Sequence, residues 1–539
     1  MGVNITRRGL LAGTGLLGAG GLVALAGCAA TPAEPSRALG DTGQGGDWLG
    51  APPELAPEDC FEKVSADVVI VGAGLSGSLA AFAAVDEGAD VVVLDKHKVF
   101  HYGGNGVSFV NSQTQLNAGA PRYDETELLY RLFNDMQNRV DLSLYIPWVY
   151  QSGHILDELV EKVLDPFGVP FRVDADPGAY LDVDVQLNGR YATGVVFCDP
   201  AVDNIKQLID AVQDYVESQG GRFVYSMRGE KVVQDETGRA CGVIATGEDG
   251  NPVLFEARKG VLVCTGSYGA NEAMVREYYA PGIQELFRDY DLYPSYYAAD
   301  EAPAEPLDTG DGHKMLCWAG AVMEEKTHPF CGWPISGPIG TPYLQVNQCG
   351  RRFMNEATAG LNSLQIAAEQ PREKGFYTWQ IVTDEGVEMP NTVGVPKEVI
   401  ELFIANGETI EADTIESLAE QMEVDPKILS ETVTRYNQCC ADKFDADFAK
   451  KAEYLVPVET PPFKAVRVRY GVAVTMGGVR TNSSLQVLDK DDVPIPGLYA
   501  AGHTVGHRFG WAYESCNGGM TNSLAMTHGY VAGKHCANL

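Results

Sequence analysis

Apolar residues along this chain fall into distinct patterns. From Val68 to Val71, and again from Val91 to Leu94, they form short unbroken runs bounded by polar or glycine positions. Runs of that length, rich in β-branched residues, predict strands covered on both faces, as in a parallel sheet. The residues between them, beginning at Gly72, read as a turn and a helix, so strand, helix and strand make one βαβ unit. Further on, apolar positions recur at three and four residues over Glu408–Val424 and Pro426–Cys440, which predicts two helices. Near the start, Gly9 to Cys28 carries no charged residue but is dominated by Gly, Ala and Leu. A segment so rich in Gly and Ala would insert poorly as a transmembrane anchor. From Ala29 to about Ala56 the chain is rich in Pro, Gly, Ala and acidic residues with little periodicity, as in a tether.

The turn after the first strand carries the first chemistry. Gly72, Gly74 and Gly77 form a G-x-G-x-x-G that follows a strand and opens a helix. Gly72 permits the tight turn, Gly74 lets the backbone approach a pyrophosphate, and Gly77 lets the helix pack on the strand. The helix start adds unpaired N–H groups and a positive dipole end for that phosphate. Asp95 ends the second strand at the spacing where an acid accepts hydrogen bonds from ribose hydroxyls. The whole context points to a dinucleotide and leaves open which one.

Composition narrows the picture. With 45% hydrophobic and 21% charged residues the chain is globular, and 539 residues suit two domains. A net charge of −33 argues against a nucleic-acid partner, because nothing would offset phosphate repulsion. It suits a soluble surface or a cationic partner. The 12 cysteines include no CxxC and no CxxCH, so no metal site and no c-type haem is expected. Thr6-Arg7-Arg8-Gly9-Leu10-Leu11 resembles a twin-arginine export signal. Leu25-Ala26-Gly27-Cys28 resembles a lipobox, in which Cys28 becomes the lipid-carrying first residue. Export to the periplasm or the outer face of the cytoplasmic membrane follows, with membrane contact only through that lipid.

Further segments carry a family resemblance. Asp95-Lys96, Gly103-Gly104-Asn105, Val263-Cys264-Thr265-Gly266, Gly310-Asp311-Gly312, Thr475-Met476-Gly477-Gly478 and Gly497-Leu498-Tyr499-Ala500-Ala501-Gly502 follow in order. Together they resemble the flavoprotein family of soluble fumarate reductases and 3-ketosteroid dehydrogenases, from about residue 65 to the C-terminus. The resemblance implies FAD and an α/β fold: a bipartite Rossmann-like FAD-binding domain with an inserted α+β capping domain. It implies that Gly72, Gly74, Gly77, Asp95, Lys96, Gly104, Asn105, Ser108, Val232, Thr265, Gly266, Gly312, Gly502, Gly518 and Gly519 line the cofactor, with Val232 toward the adenine. His503 stands where the family usually has an acid, and Met520 where a small polar residue is common. Asn105 stands where membrane-bound relatives carry the histidine that bonds to flavin, which implies noncovalent FAD.

The same resemblance implies a substrate site, and here the chain departs. A dicarboxylate needs cations around it, since unpaired buried carboxylates are costly. His328-Pro329 keeps the family histidine, but Ile339, Gly360, Val474 and Cys516 stand at four positions where the family has arginine or histidine. Arg508 and His507 are the candidates to replace them in part. Tyr268, Phe330, Trp333, Tyr343, Trp511 and Tyr513 would instead make an apolar wall with phenol donors. The expected catalytic set is His328, Tyr513, Tyr343 and Arg508, with a tyrosine polarising a carbonyl or acting as acid. The expectation is hydride transfer between flavin and an activated C=C of an apolar ketone- or phenol-bearing small molecule, in either direction. Alternatives are a fumarate-type dicarboxylate reductase and a non-catalytic electron relay. Electrons come from an external donor: a quinol chain, a cytochrome or a flavin shuttle. The expected organisation is signal 1–27, tether 28–60, FAD domain 65–315, cap 316–465 and returning FAD segment 466–539.

Overall fold

The computed structural model describes residues 48–103, 106–173, 191, 193–199, 202–203, 205–287, 306–334, 337, 342–357, 360–388, 400–401, 404–405, 408–511, 513 and 519–539. The export signal, Cys28 and the tether up to residue 47 lie outside them, as do Gly104, Asn105, Ile339, Cys516 and Gly518. No helix of the described residues is long and apolar enough to cross a membrane.

The first βαβ unit is built as the pattern predicts. Strand β1 (Glu62–Val71) leads through the glycine turn into helix α1 (Leu75–Asp86), and β2 (Val91–Leu94) returns beside β1 in parallel. Val68, Val69 and Ile70 are fully buried, each side chain contributing about 1.5–3 kcal/mol by leaving water. Leu75 to Val85 are all buried, so α1 is covered on every side. A short strand β3 (Gly106–Ser108) follows, then helix α2 (Ile146–Leu159) and β4 (Gly194–Val196), which pairs with β3. Helix α3 (Lys206–Ser218) then leads to β5 (Arg222–Val224), parallel to β2. Strands β6 (Met227–Gln234) and β7 (Ala240–Gly247) form an antiparallel ribbon running into β8 (Pro252–Val263). β8 lies parallel to β1 on the side away from β2. Helices α4 (Glu272–Tyr278) and α5 (Asp311–Trp318) close this half.

An inserted lobe has its own antiparallel sheet. It holds β9 (Phe330–Pro334), β10 (Leu344–Val346), α6 (Gly360–Ala368), β11 (Tyr377–Thr383), β12 (Thr409–Ala412), α7 (Ile415–Gln421), α8 (Pro426–Asp442) and β13 (Phe463–Thr475). The helix expected over 408–424 is therefore corrected. Thr409–Ala412 pairs with β13, and the helix starts only after Thr414, whose hydroxyl accepts from Ser417 N–H as an N-cap. Strand pairing outweighed the helical spacing of the same apolar residues. β13 is the spine of the lobe, pairing with β12 and β11 through its first half and with β9 through its second. Residues 465 and 466, where the expected domain boundary falls, are neighbours inside this one strand.

After β13 the chain returns to the parallel sheet. β14 (Gln486–Leu488) pairs antiparallel with β15 (Pro494–Ala500), and β15 lies parallel to β8. The parallel order is thus β15-β8-β1-β2-β5. Helix α9 (Met520–Ala537) ends the chain, packed on α1 and α2, with thirteen buried residues.

Candidate active site

The glycine turn is held from both sides. Ala73 N–H donates to Asp95 Oδ2 at 2.9 Å, and the Ala73 carbonyl accepts from Ser78 Oγ and from Gln213 Nε2 on α3, each at 3.0 Å. A Cβ on Gly77 would lie 1.9 Å from the Gly72 carbonyl oxygen, so only glycine lets the helix start this close under the turn. Asp95 also accepts from His97 N–H at 2.9 Å. Burial pushes its carboxyl pKa up, and the two N–H donors and Lys96 oppose that shift. Its first partners in the protein are therefore backbone amides.

Distant segments converge on the start of α1. Gly502 lies against the Ser76 side chain, and Gly519, the residue before α9, lies against the Gly106 carbonyl. Asn522 Nδ2 ties α9 to the loop by donating to the Gly103 and Gly106 carbonyls, each at 3.2 Å. Thr265 N–H donates to Thr504 Oγ1 at 3.2 Å, and Gly312 sits directly over the Thr265 hydroxyl. Gly266 continues that turn at φ +78°. Lys96 Nζ reaches Thr309 Oγ1 at 2.9 Å and Asp311 Oδ2 at 3.3 Å, strapping the loop after β2 to the start of α5. Ser108 and Val232 are less open. The Ser108 hydroxyl is paired with Thr193 Oγ1 at 2.7 Å, and Val232 is a core residue of β6.

Four buried hydroxyls in these segments, on Ser76, Thr265, Ser267 and Thr521, have no hydrogen-bond partner. Buried polar atoms without partners cost about 1–3 kcal/mol each. At the start of α1, Gly74 leaves open space, since a Cβ there would meet nothing closer than 3.5 Å. That donor set fits the phosphates and hydroxyls of a dinucleotide.

The second cluster centres on His328. Its Nε2–H donates to the Glu324 carbonyl at 3.1 Å, and its Nδ1 accepts from the Tyr268 hydroxyl at 2.6 Å. Tyr278 stacks on the ring at 4.1 Å and 13°. Tyr279, whose hydroxyl donates to the Pro329 carbonyl at 2.8 Å, packs with Phe330 on the same cluster. Burial pushes the His328 pKa down to about 3, so the imidazole is neutral. Both ring nitrogens of His328, expected as a catalytic residue, are engaged within the protein, Nδ1 by the Tyr268 hydroxyl and Nε2 by the Glu324 carbonyl.

The remaining expected residues scatter. Arg508 is fully buried, with Nε donating to the Val505 carbonyl at 2.9 Å and Nη2 lying 3.1 Å from His503 Nδ1. Its Nη1 has no partner, and burial lowers its pKa to about 10. His507 is part-exposed and pairs with Glu325 at 2.8 Å. Tyr513 stacks on Phe509 at 5.3 Å and accepts a hydrogen bond from Thr521 N–H at 3.2 Å. It shares an apolar cluster with Val474, Cys331, Met476 and Phe509. Tyr343 does not join either group. It is buried in the lobe with Val382, Val387, Ile400 and Val466, because the lobe sheet turns it inward. Trp511 is 54% exposed under the Arg139 guanidinium, and Trp333 lies in β9.

Sequence reasoning passed over Glu324 and Gly477. Glu324 is buried, accepts from His507 N–H at 2.6 Å through Oε2, and leaves Oε1 without a partner. Nothing in its sequence neighbourhood announces this, since Glu324-Glu325-Lys326 reads as a solvated charge run.

A family model described as FAD binding domain matches residues 67–520. A digoxin reductase of Eggerthella lenta is 27% identical over an alignment of 574 residues, covering 99% of this chain and 97% of that protein. A urocanate reductase of the same organism is 26% identical over 510 residues, covering 90% of this chain and 76% of that protein. A 3-ketosteroid-Δ4-(5α)-dehydrogenase of Rhodococcus jostii, solved with 4-androstene-3,17-dione, shares the fold. Its TM-score is 0.72 at 23% identity, over 90% of this chain and 100% of that one. The chain thus belongs to the FAD binding domain family, as an FAD-dependent oxidoreductase of the kind that acts on carbon–carbon double bonds.

Proposed function

We propose that this chain reduces an activated C=C in an apolar, ketone- or phenol-bearing small molecule, or catalyses the reverse dehydrogenation, outside the cytoplasm. The observation that carries this reading is Val474. Where a dicarboxylate reductase would place a histidine, the buried Val474 packs with Cys331, Met476, Phe509 and Tyr513. Two carboxylates brought to such a surface would lack the cations that offset desolvation. A digoxin reductase relative and a fold neighbour solved with 4-androstene-3,17-dione support an apolar acceptor.

In this reading the FAD is noncovalent and is held by Gly72, Gly74, Gly77, Ser76, Thr265, Gly266, Gly312, Gly502 and Gly519, with Asp95 and Lys96 fixing the loops around it. Bound FAD supplies hydride transfer to or from carbon. The chain supplies the rest. Tyr513, whose oxygen accepts an amide N–H at the start of α9, polarises the acceptor or delivers its proton. Tyr268, held by His328, forms the opposite phenol wall. The inserted lobe acts as the cap that excludes water. Arg7, Arg8 and Cys28 support export and lipid anchoring, so electrons would come from a quinol chain, a cytochrome or a flavin shuttle.

A second reading, a carboxylate-bearing acceptor, draws on the partnerless Nη1 of Arg508. Reduced-dye oxidation against steroid enones, vinyl phenols, urocanate and fumarate separates the two. Fastest turnover with an enone or vinyl phenol, little changed in Arg508→Met, supports the first. Fastest turnover with urocanate or fumarate, lost in Arg508→Met, overturns it. Cys28→Ala should release the protein from the membrane fraction; unchanged fractionation would overturn the lipid anchor.

A further inference from the structure

One buried acid is not used by the reading above. Glu324 sits between a surface ion pair and the aromatic cluster. On its outer side, His507 N–H donates to Oε2 at 2.6 Å, and the His507 ring lies 3.8 Å from the same oxygen while pairing with Glu325 at 2.8 Å. On its inner side, the Glu324 carbonyl accepts from His328 Nε2 at 3.1 Å, and the Glu324 N–H donates to the Gly478 carbonyl at 2.9 Å. The charge of Glu324 is felt by Tyr268, Tyr279 and Arg508. The loop that holds it runs from Gly502, in the proposed FAD cradle, through the half-buried His503 to His507. Gly506 presses so close that a Cβ there would lie 3.0 Å from the Glu324 carboxyl carbon. Oε1 remains without a partner, although the group is buried.

A buried carboxylate with half of its acceptor capacity unused is expensive as an anion, and much cheaper once one oxygen carries a proton. The groups facing it are one arginine (Arg508), neutral histidines and phenols within, and His507 with Glu325 at the surface. Arg480 acts on the neighbouring Glu325. His507 is the part-exposed group that touches both Glu324 and solvent.

We propose that Glu324 is the site of redox-linked proton uptake behind the FAD cradle, loaded from solvent through His507. The step balances simply. Two electrons from the external donor raise the negative charge at the cradle. A solvent proton passes to the His507 imidazole and from it to the Glu324 carboxylate, giving a carboxylic acid. When the electrons leave for the acceptor as a hydride, whose proton entered the cradle with them, the Glu324 proton returns through His507 to solvent. The acceptor's other proton comes from a phenol that solvent reprotonates, so the acceptor gains two electrons and two protons overall. No bond to carbon changes at Glu324. Burial, opposed by His507 and Arg508, already holds its pKa up at about 7 with no added charge nearby. Added negative charge moves it higher.

The test needs no acceptor substrate, so it stands apart from the substrate proposal. The FAD-loaded protein is reduced with dithionite in weakly buffered solution containing a pH indicator, and protons taken up per two electrons are counted across pH. Wild type should exceed Glu324→Gln by up to one proton. The excess should be largest above pH 7 and vanish well below it, where the acid is protonated in both redox states. Oxidised-minus-reduced infrared spectra of wild type labelled with 13C-glutamate should show an isotope-shifted carboxylic-acid band. That second measurement holds even if Glu324→Gln does not load FAD. His507→Ala should slow the uptake without changing the count. Equal proton counts in wild type and Glu324→Gln, or no labelled carboxylic-acid band in wild type, overturns the proposal.

Discussion

Replacing Gly477 by alanine tests how the His328 ring is held. A Cβ at this position would lie 2.1 Å from His328 Nδ1, 2.2 Å from its Cγ and 2.6 Å from its Cβ. Ordinary contacts lie near 3.5–4 Å, so the ring must retreat by roughly 1 Å or more. It has nowhere to go without losing a partner, because Tyr268 binds Nδ1, the Glu324 carbonyl binds Nε2 and Tyr278 covers one face. Gly477 is not among the glycines with positive φ, so the effect is steric and not a matter of backbone strain. Two hydrogen bonds at about 0.5–1.5 kcal/mol each, plus overpacking at about 1–3 kcal/mol, give a loss of about 2–6 kcal/mol. The assay is urea unfolding of Gly477→Ala, His328→Ala and the double variant, followed by tryptophan fluorescence. With the ring gone, the new methyl fills its space, so Gly477→Ala should cost under about 1 kcal/mol in the His328→Ala background. The coupling should therefore exceed about 1 kcal/mol. Costs that simply add would show that the ring does not rest on Gly477 and would refute the reasoning.

Removing a partnerless hydroxyl should act oppositely on the apo and loaded protein. Ser76→Ala and Thr265→Val should leave apo stability unchanged or raised, yet weaken FAD binding by about 2- to 10-fold each in a fluorescence titration; unchanged affinity would remove these hydroxyls from the site. Burial first of all lowers the pKa values of His313 to about 4 and of His328 and His528 to about 3. The unfolded chain binds protons on these groups below about pH 6.5 while the fold does not, so stability falls as pH drops from there toward the folded values. The three together give a slope of up to about 4 kcal/mol per pH unit, and a flat urea midpoint between pH 7 and pH 5 would contradict it. In the inserted lobe the buried Lys450 Nζ lies 3.0 Å from Glu356 Oε2 and 2.9 Å from the Tyr436 hydroxyl. Lys450→Met should cost about 3 kcal/mol, the low end for breaking a buried pair because Arg352 still holds Glu356; a loss under about 0.5 kcal/mol in the same unfolding assay would contradict it.

The dinucleotide-type βαβ unit and the FAD family were legible in sequence because their signals are local. Gly72, Gly74, Gly77 and Asp95 lie within one βαβ unit, and their backbone requirements are the same in any chain that builds it. The later glycine segments could be ordered along the chain, and the fold brings Gly502 to Ser76 and Gly519 to Gly106. The substrate side was harder to read because its side chains are set by tertiary neighbours. His328 is neutral through burial, and its ring is held by a hydroxyl 60 positions earlier and by the close approach of Gly477. Tyr343 and Tyr513 are both buried phenols, and nothing in the chain says that one turns into the lobe core while the other meets the start of α9. Arg508 looked like a spare cation and proves to be folded back on Val505 and His503. The strand at 409–412 hid inside a helical spacing because its partner, β13, lies some fifty residues downstream.

β13 has a mechanical consequence. At one end it carries the lobe sheet through pairs with β12 and β11, and at the other Thr475 Oγ1 accepts the Tyr268 N–H at 3.0 Å. Twelve of the thirteen residues from Phe463 to Thr475 are paired, the exception being Ala473 at an irregularity opposite β9, so the strand transmits force nearly along its whole length. A torque that swings the lobe must therefore pull on the Tyr268 backbone, or be absorbed at the pivot immediately after the strand, Met476-Gly477-Gly478. His328 packs against Gly477 in that segment and accepts from the Tyr268 hydroxyl, so a tilt of the lobe would bear on the aim of that phenol.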